Sequence, residues 1–133
     1  MKSMSRITGA LVAAALAVGM FAASGCAGTK AAYNAADTLE ERAYVVTEHY
    51  AAVVHQAADL KDKGVLKGAA LAKAREAETV AQPVVLSLGD LVKKYNAAKS
   101  AETEVALQSA LDEAVRALAD LVRIVKAAAG GGS

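Results

Sequence analysis

Cysteine, proline and aromatic residues are scarce in this chain of 133 residues, which has one cysteine, one proline, one phenylalanine, four tyrosines and no tryptophan. A single cysteine excludes an intramolecular disulfide, and a single proline leaves long stretches free to form uninterrupted helices. The 15 basic and 14 acidic side chains give a formal net charge of +1. The chain therefore lacks the excess of positive charge that is typical of nucleic-acid-binding proteins. Alanine supplies much of the 55% hydrophobic content, and this composition favours an all-α fold.

The beginning of the chain has the organisation of a bacterial lipoprotein signal peptide. A basic start precedes an apolar run over residues 7–23, which is shorter than the roughly 20 residues that a membrane-spanning helix needs. The sequence Ala23-Ser24-Gly25-Cys26 then resembles the lipobox of bacterial lipoproteins, with Ala23 at the place where that family most often has Leu. The resemblance implies that residues 1–25 are removed and that Cys26 carries a diacylglycerol and an N-terminal acyl chain. Ordinary cleavage nearby and an uncut membrane anchor are the alternatives.

This lipidation predicts a domain that is tethered to a membrane. Each buried CH₂ group contributes about 0.8 kcal/mol to membrane binding, and one acyl chain alone binds only marginally, so several chains are needed for a firm anchor. By the same resemblance, Ala27 after the cysteine implies sorting to the outer membrane, facing the periplasm, in a Gram-negative host. Residues 26–32 are expected to be a flexible spacer between the lipid and the folded domain.

The rest of the chain, residues 33–128, is predicted to be an all-α, up-down-up, antiparallel three-helix bundle. Three segments, residues 33–62, 67–97 and 101–128, have apolar residues at alternating spacings of four and three, which is typical of helices that pack along a long seam. The connections are short, so consecutive helices are expected to be antiparallel neighbours. The seam consists of Ala36, Leu39, Ala43, Val46, Tyr50, Val53, Ala57 and Leu60; of Ala70, Ala74, Ala77, Ala81, Val84, Leu88, Leu91 and Tyr95; and of Leu107, Leu111, Ala114, Leu118, Leu121, Val125 and Ala128.

Residues suited to turns separate the three segments. Gly64 can adopt the left-handed conformation that ends a helix, and we expect Val65 and Leu66 to fold back onto the core. Ser100 is expected to cap the third helix.

The second helix contains the proline of the chain, Pro83, which falls on the predicted outer face. A proline there removes a backbone hydrogen bond and bends the axis, either as an outward kink or as a functional hinge. Residues 129–133, which end in Gly-Gly-Gly-Ser, are expected to be a flexible tail.

No arrangement of residues in the sequence indicates catalysis or metal binding. His49 and His55 are six positions apart, about 240° around a helix, so they cannot share a metal ion as an i, i+4 pair would. Both fall on polar positions, which predicts solvated histidines, with a metal or pH-sensing role as the alternative. No glycine-rich loop follows a strand, and no serine has recognisable His and Asp companions. We therefore expect a protein that is not an enzyme and that holds no metal and no cofactor other than the lipid on Cys26.

Some apolar residues fall outside the predicted seam, and three of them are the candidate partner-binding residues: Tyr44, Val45 and Leu86. Such residues form a binding surface, become buried through a different rotation of their helix, or are exposed by chance. A second set is expected to widen the buried face of the third helix: Val115, Val122 and Ile124.

Beyond the leader, the chain resembles small Ala-rich lipoproteins of bacterial phages and prophages. The resemblance rests on Tyr33 and Tyr44 early in the first helix, the Lys63-Gly64-Val65 turn and a closing helix rich in Leu and Ala. It implies modification of the host envelope, exclusion of a second phage or assistance in lysis. The sequence predicts a membrane-anchored helical module that binds another envelope protein or itself and no nucleic acid. The alternative is a binder of a small apolar ligand, held where the helices part near Pro83.

Overall fold

The computed structural model describes residues 32–131, which form three long α-helices. Helix α1 spans Leu39–Asp62, helix α2 spans Gly68–Ala98 and helix α3 spans Ala101–Gly131. The helices pack antiparallel, and the contact between α2 and α3 is the most extensive of the three. The predicted all-α bundle is confirmed. The predictions for the leader, for Cys26 and for most of the spacer lie outside the described residues.

The hydrophobic core lies along the seam predicted from the sequence. Every residue of the three apolar stripes is buried or half-buried. Helix α3 contributes most to the centre, and it packs against both other helices. The largest fully buried side chains are Val46, Leu66, Leu88, Leu107, Leu111, Leu121 and Val125.

Helix α1 begins at Leu39, several residues later than the predicted start at residue 33. The backbone N–H of Glu41 donates to Thr38 Oγ1 at 3.1 Å, and the Glu41 carboxylate accepts from the Thr38 N–H at 3.4 Å and from the Asp37 N–H at 2.8 Å. This capping box fixes the first turn of α1, because each of its side chains satisfies a backbone donor that the helix leaves free. Residues 32–35 form a separate helical turn before it.

The connection between α1 and α2 has the predicted chemistry. Gly64 has a φ of 73°; its N–H donates to the Lys61 carbonyl at 3.0 Å, and the Val65 N–H donates to the Leu60 carbonyl at 2.9 Å. These two bonds are the Schellman motif, which ends a helix with a left-handed residue. Leu66 is fully buried, as expected, whereas Val65 stays at the surface.

The connection between α2 and α3 is shorter and consists of Lys99 and Ser100. Lys99 ends α2 in the left-handed region with a φ of 43°, and its N–H donates to the Tyr95 carbonyl at 2.7 Å. Ser100 caps α3 as predicted, because Ser100 Oγ accepts from the Thr103 N–H at 3.2 Å. Thr103 Oγ1 in turn accepts from the Ser100 N–H at 3.1 Å.

Replacing Lys99 by glycine is expected to stabilise the bundle by about 0.5–1 kcal/mol. A left-handed conformation costs a non-glycine residue about 1–2 kcal/mol, and the greater freedom of glycine in the unfolded chain offsets part of the gain. Denaturation in urea, followed by circular dichroism, measures the difference. Lys94→Gly is the control, since Lys94 is exposed inside α2 and glycine there should cost about 1 kcal/mol. Destabilisation by both substitutions would contradict this account of Lys99.

Pro83 lies on the exposed face of α2, as predicted, and α2 continues through it to Ala98.

The prediction of a flexible tail from residue 129 is wrong for residues 129–131, which belong to α3. Ala129 suits a helix because alanine has the highest helix propensity, whereas the propensities of Gly130 and Gly131 do not account for their helical conformation.

Candidate partner-binding surface

Tyr44 projects from the outer face of α1. Its neighbour Ala43 is buried, as is Val46, and both point toward the core. Because successive residues of a helix are 100° apart, Tyr44 is carried away from the core, and it is 67% exposed. A tyrosine with this exposure combines a large apolar surface with a hydroxyl group, which is typical of residues at protein interfaces.

Tyr44 and Val45 line a shallow hollow of about 480 Å³ at the beginning of α1. The other lining residues are Ala32, Ala35, Ala36, Glu40 and Glu41. The alanines and the two candidate residues give the hollow an apolar floor, and the carboxylates of α1 give it an acidic rim. A hollow this open suits a broad protein contact better than an enclosed small molecule.

The hollow depends on the break between residues 35 and 39. The capping box of α1 ends the preceding helical turn and lets it lie beside the first turns of α1. On the other side of that turn, Tyr33 packs against the core, and the Arg42 guanidinium lies 5.4 Å from the centroid of the Tyr33 ring. A cation over an aromatic face adds about 0.5–1 kcal/mol at a partly exposed position. Tyr33 and Arg42 therefore hold the alanine face in place next to Tyr44.

Leu86 is 66% exposed on α2, but it does not line the hollow. The structure thus brings Tyr44 and Val45 together and leaves Leu86 outside their surface. A different helix rotation that buries Tyr44 or Leu86 is excluded, since both are exposed. Val80 and Val105 are also exposed, and the sequence interpretation missed them although neither fits the four-and-three spacing.

The prediction for the second set of apolar residues is only partly right. Val122 is buried and Ile124 is half-buried, so both widen the core face of α3. Val115 is exposed. It lies just beyond the edge of the buried arc of α3, next to Val122 around the helix axis.

His49 is buried, which contradicts the prediction that both histidines are solvated. It is 8% exposed, since it follows the buried Val46 by three positions and therefore lies on the same flank of α1. Burial and, to a lesser degree, the Lys126 cation lower the pKa of His49. His55 is exposed, as predicted.

Residues 32–131 contain few other groups with chemical potential. In this part of the chain no three His, Cys, Asp or Glu side chains are grouped so as to hold a metal ion. Burial and the Glu78 carboxylate raise the pKa of Tyr50, which keeps its hydroxyl protonated at neutral pH. Of the helices described, none has both the length and the apolar character needed to cross a bilayer.

Two smaller hollows lie toward the end of the bundle at which α1 ends and α2 begins. One, of about 250 Å³, runs between α1 and α2, and the other, of about 210 Å³, runs between α2 and α3. Neither is lined by Pro83, although a ligand site was predicted near that residue.

No protein-family model, curated protein or solved structure matches this chain. The inference of function therefore depends on the residues themselves.

Proposed function

We propose that this chain is a membrane-anchored, non-enzymatic lipoprotein of the cell envelope, whose three-helix bundle binds another envelope protein or a second copy of itself. The observation that carries the proposal is the apolar hollow lined by the exposed Tyr44 and the half-buried Val45. A large aromatic side chain at the centre of an apolar patch is the usual anchor of a protein interface. In this proposal the lipid on Cys26 supplies the membrane attachment, and the hollow supplies the contact.

The position of the hollow in the chain supports this combination. Ala32 lines the hollow and follows Cys26 by six residues. Six residues span at most about 20 Å when fully extended. An anchor at Cys26 therefore keeps the hollow close to the bilayer surface, where it meets proteins of the same membrane. The acidic rim formed by Glu40 and Glu41 favours a partner with basic side chains around an apolar centre.

The lipid anchor is tested by the intact mass of the protein extracted from its host's membranes, beside a Cys26→Ser variant. We expect the mass of the chain without residues 1–25 plus that of the acyl groups, and we expect the substitution to abolish both changes. An uncut or unacylated mass in the unsubstituted protein would contradict the lipid anchor. Binding of a partner at the Tyr44 surface would then have to be tested without it.

The binding surface is tested by placing a photo-crosslinking amino acid at position 44 or position 86 of the membrane-bound protein. We expect one crosslinked species of defined mass from position 44 and little or none from position 86, which is equally exposed and apolar in the native chain. Tyr44→Ser should weaken the same association by about 30-fold, which corresponds to about 2 kcal/mol for the loss of an interface anchor. Equal crosslinking from both positions would contradict a specific surface at Tyr44.

A further inference from the structure

The hollow between α1 and α2, which we call the α1–α2 groove, combines an apolar floor with charged groups at its rim. It lies near the connection between the two helices and has a volume of about 250 Å³. Small side chains at Ala57 and Ala74 leave space between the helix axes that leucines at these positions would fill. The floor is completed by Val54, Leu66, Leu71 and Leu121.

The charged groups of the groove are arranged asymmetrically. Lys61 and Arg75 are rim residues, and within residues 32–131 neither takes part in a side-chain ion pair. Glu78 also lines the groove, three positions after Arg75 and therefore about one turn of α2 farther from the connection. Of the three charged residues that line the groove, two are basic and one is acidic. The end of the groove nearest the connection therefore favours a negative charge, and the far end disfavours one.

We propose that the α1–α2 groove binds a small amphiphile with an anionic head and a single alkyl chain, such as a medium-chain fatty acid. The carboxylate lies between Lys61 and Arg75, and the chain covers the apolar floor along Ala57, Leu71 and Leu121. The volume lies just below the roughly 300–1,000 Å³ of typical small-molecule sites, which is enough for one alkyl chain of moderate length. This site depends neither on lipidation of Cys26 nor on the Tyr44 surface. A negative result for the groove would therefore leave the proposed function intact, and the reverse also holds.

The test is a titration of the full-length chain carrying Cys26→Ser with decanoate below its micelle concentration, followed by calorimetry and by NMR of the alanine and leucine methyl groups. We expect saturable binding of one decanoate, with shifts centred on Ala57, Leu71 and Ala74. Each methylene removed from the ligand should weaken binding by up to about fourfold, the equivalent of 0.8 kcal/mol per buried CH₂. Decyltrimethylammonium, which has the same chain and a positive head, should bind at least about tenfold more weakly.

Substitutions at the rim test the role of charge. Arg75→Glu should weaken decanoate binding by about tenfold, because an attractive surface charge becomes repulsive. Arg116→Glu makes the same chemical change on the exposed face of α3, outside the groove, and should leave the affinity unchanged. Glu78→Gln should strengthen binding, since it removes the carboxylate from the far end.

Substitutions at the floor give an independent readout. Ala58 is exposed yet lines the groove, so Ala58→Leu should block it without disturbing the core. Ala51→Leu is the matched control on the same helix, outside the groove. Binding that does not saturate, equal affinity for the two decyl ligands, shifts centred on the Tyr44 hollow, or equal affinity in Ala58→Leu and Ala51→Leu would each overturn the proposal.

Discussion

Leu111→Ala is expected to lower the free energy of unfolding by about 2–5 kcal/mol, the range found for leucines that leave a cavity in a well-packed core. Leu111 has no exposed surface, and it lies in the interior of α3, the helix that packs against both others. The surrounding side chains relax only partly into such a space, so the cost includes a cavity as well as lost burial. Urea denaturation followed by circular dichroism measures the loss. A domain of this size typically has only about 5–15 kcal/mol of stability, so the variant should unfold at a much lower urea concentration.

Leu86→Ala makes the same chemical change on the outer face of α2, where Leu86 is 66% exposed. Leucine and alanine are both good helix formers, so we expect a change within about 0.5 kcal/mol. Similar losses in Leu111→Ala and Leu86→Ala would mean that burial along the seam does not determine stability. The comparison therefore tests the core assignment with helix propensity held nearly constant.

The seam was predictable because helix periodicity fixes which residues share a face. Leu107, Leu111 and Leu118 recur at helical spacings, and all three are buried in α3. The width of the buried arc was not predictable in the same way. It depends on how closely the helix axes approach, and alanines such as Ala81, which is fully buried in α2, permit a close approach. The sequence interpretation therefore placed His49 in solvent, although it lies at the edge of that arc.

The candidate surface was predictable only in part. Spacing alone indicated that Tyr44 falls outside the seam, and its exposure confirms this. The hollow beside it requires the break before α1, which the sequence interpretation overlooked. A signal was present, since Thr38 followed three positions later by Glu41 is the pattern of a capping box. The α1–α2 groove had no comparable signal, because its lining comes from α1, α2, α3 and a connection that only the folded chain brings together.

Acidification is expected to destabilise the bundle through His49. Burial and the Lys126 cation lower the pKa of His49 in the folded protein below the ordinary value of 6.5, whereas the unfolded chain keeps that ordinary value. Near pH 8, well above 6.5, the histidine is neutral in both states and stability does not depend on it. As the pH falls through 6.5, the unfolded chain takes up a proton that the folded protein resists. The free energy of unfolding therefore falls until the lower pKa of the folded state is reached.

The measurement is the free energy of unfolding between about pH 8 and pH 5, above the range in which carboxylates dominate acid unfolding. His49→Gln should remove part of the dependence on pH, and His55→Gln should leave it intact, because His55 is exposed. Lys126→Gln should reduce the dependence by a smaller amount, since burial lowers the pKa of His49 more than Lys126 does. An unchanged slope in His49→Gln would show that burial of His49 in α1 does not control its proton affinity. If His55→Gln reduced the pH dependence of the free energy of unfolding as much as His49→Gln does, the effect would come from the exposed surface of α1 and not from its contact with α3.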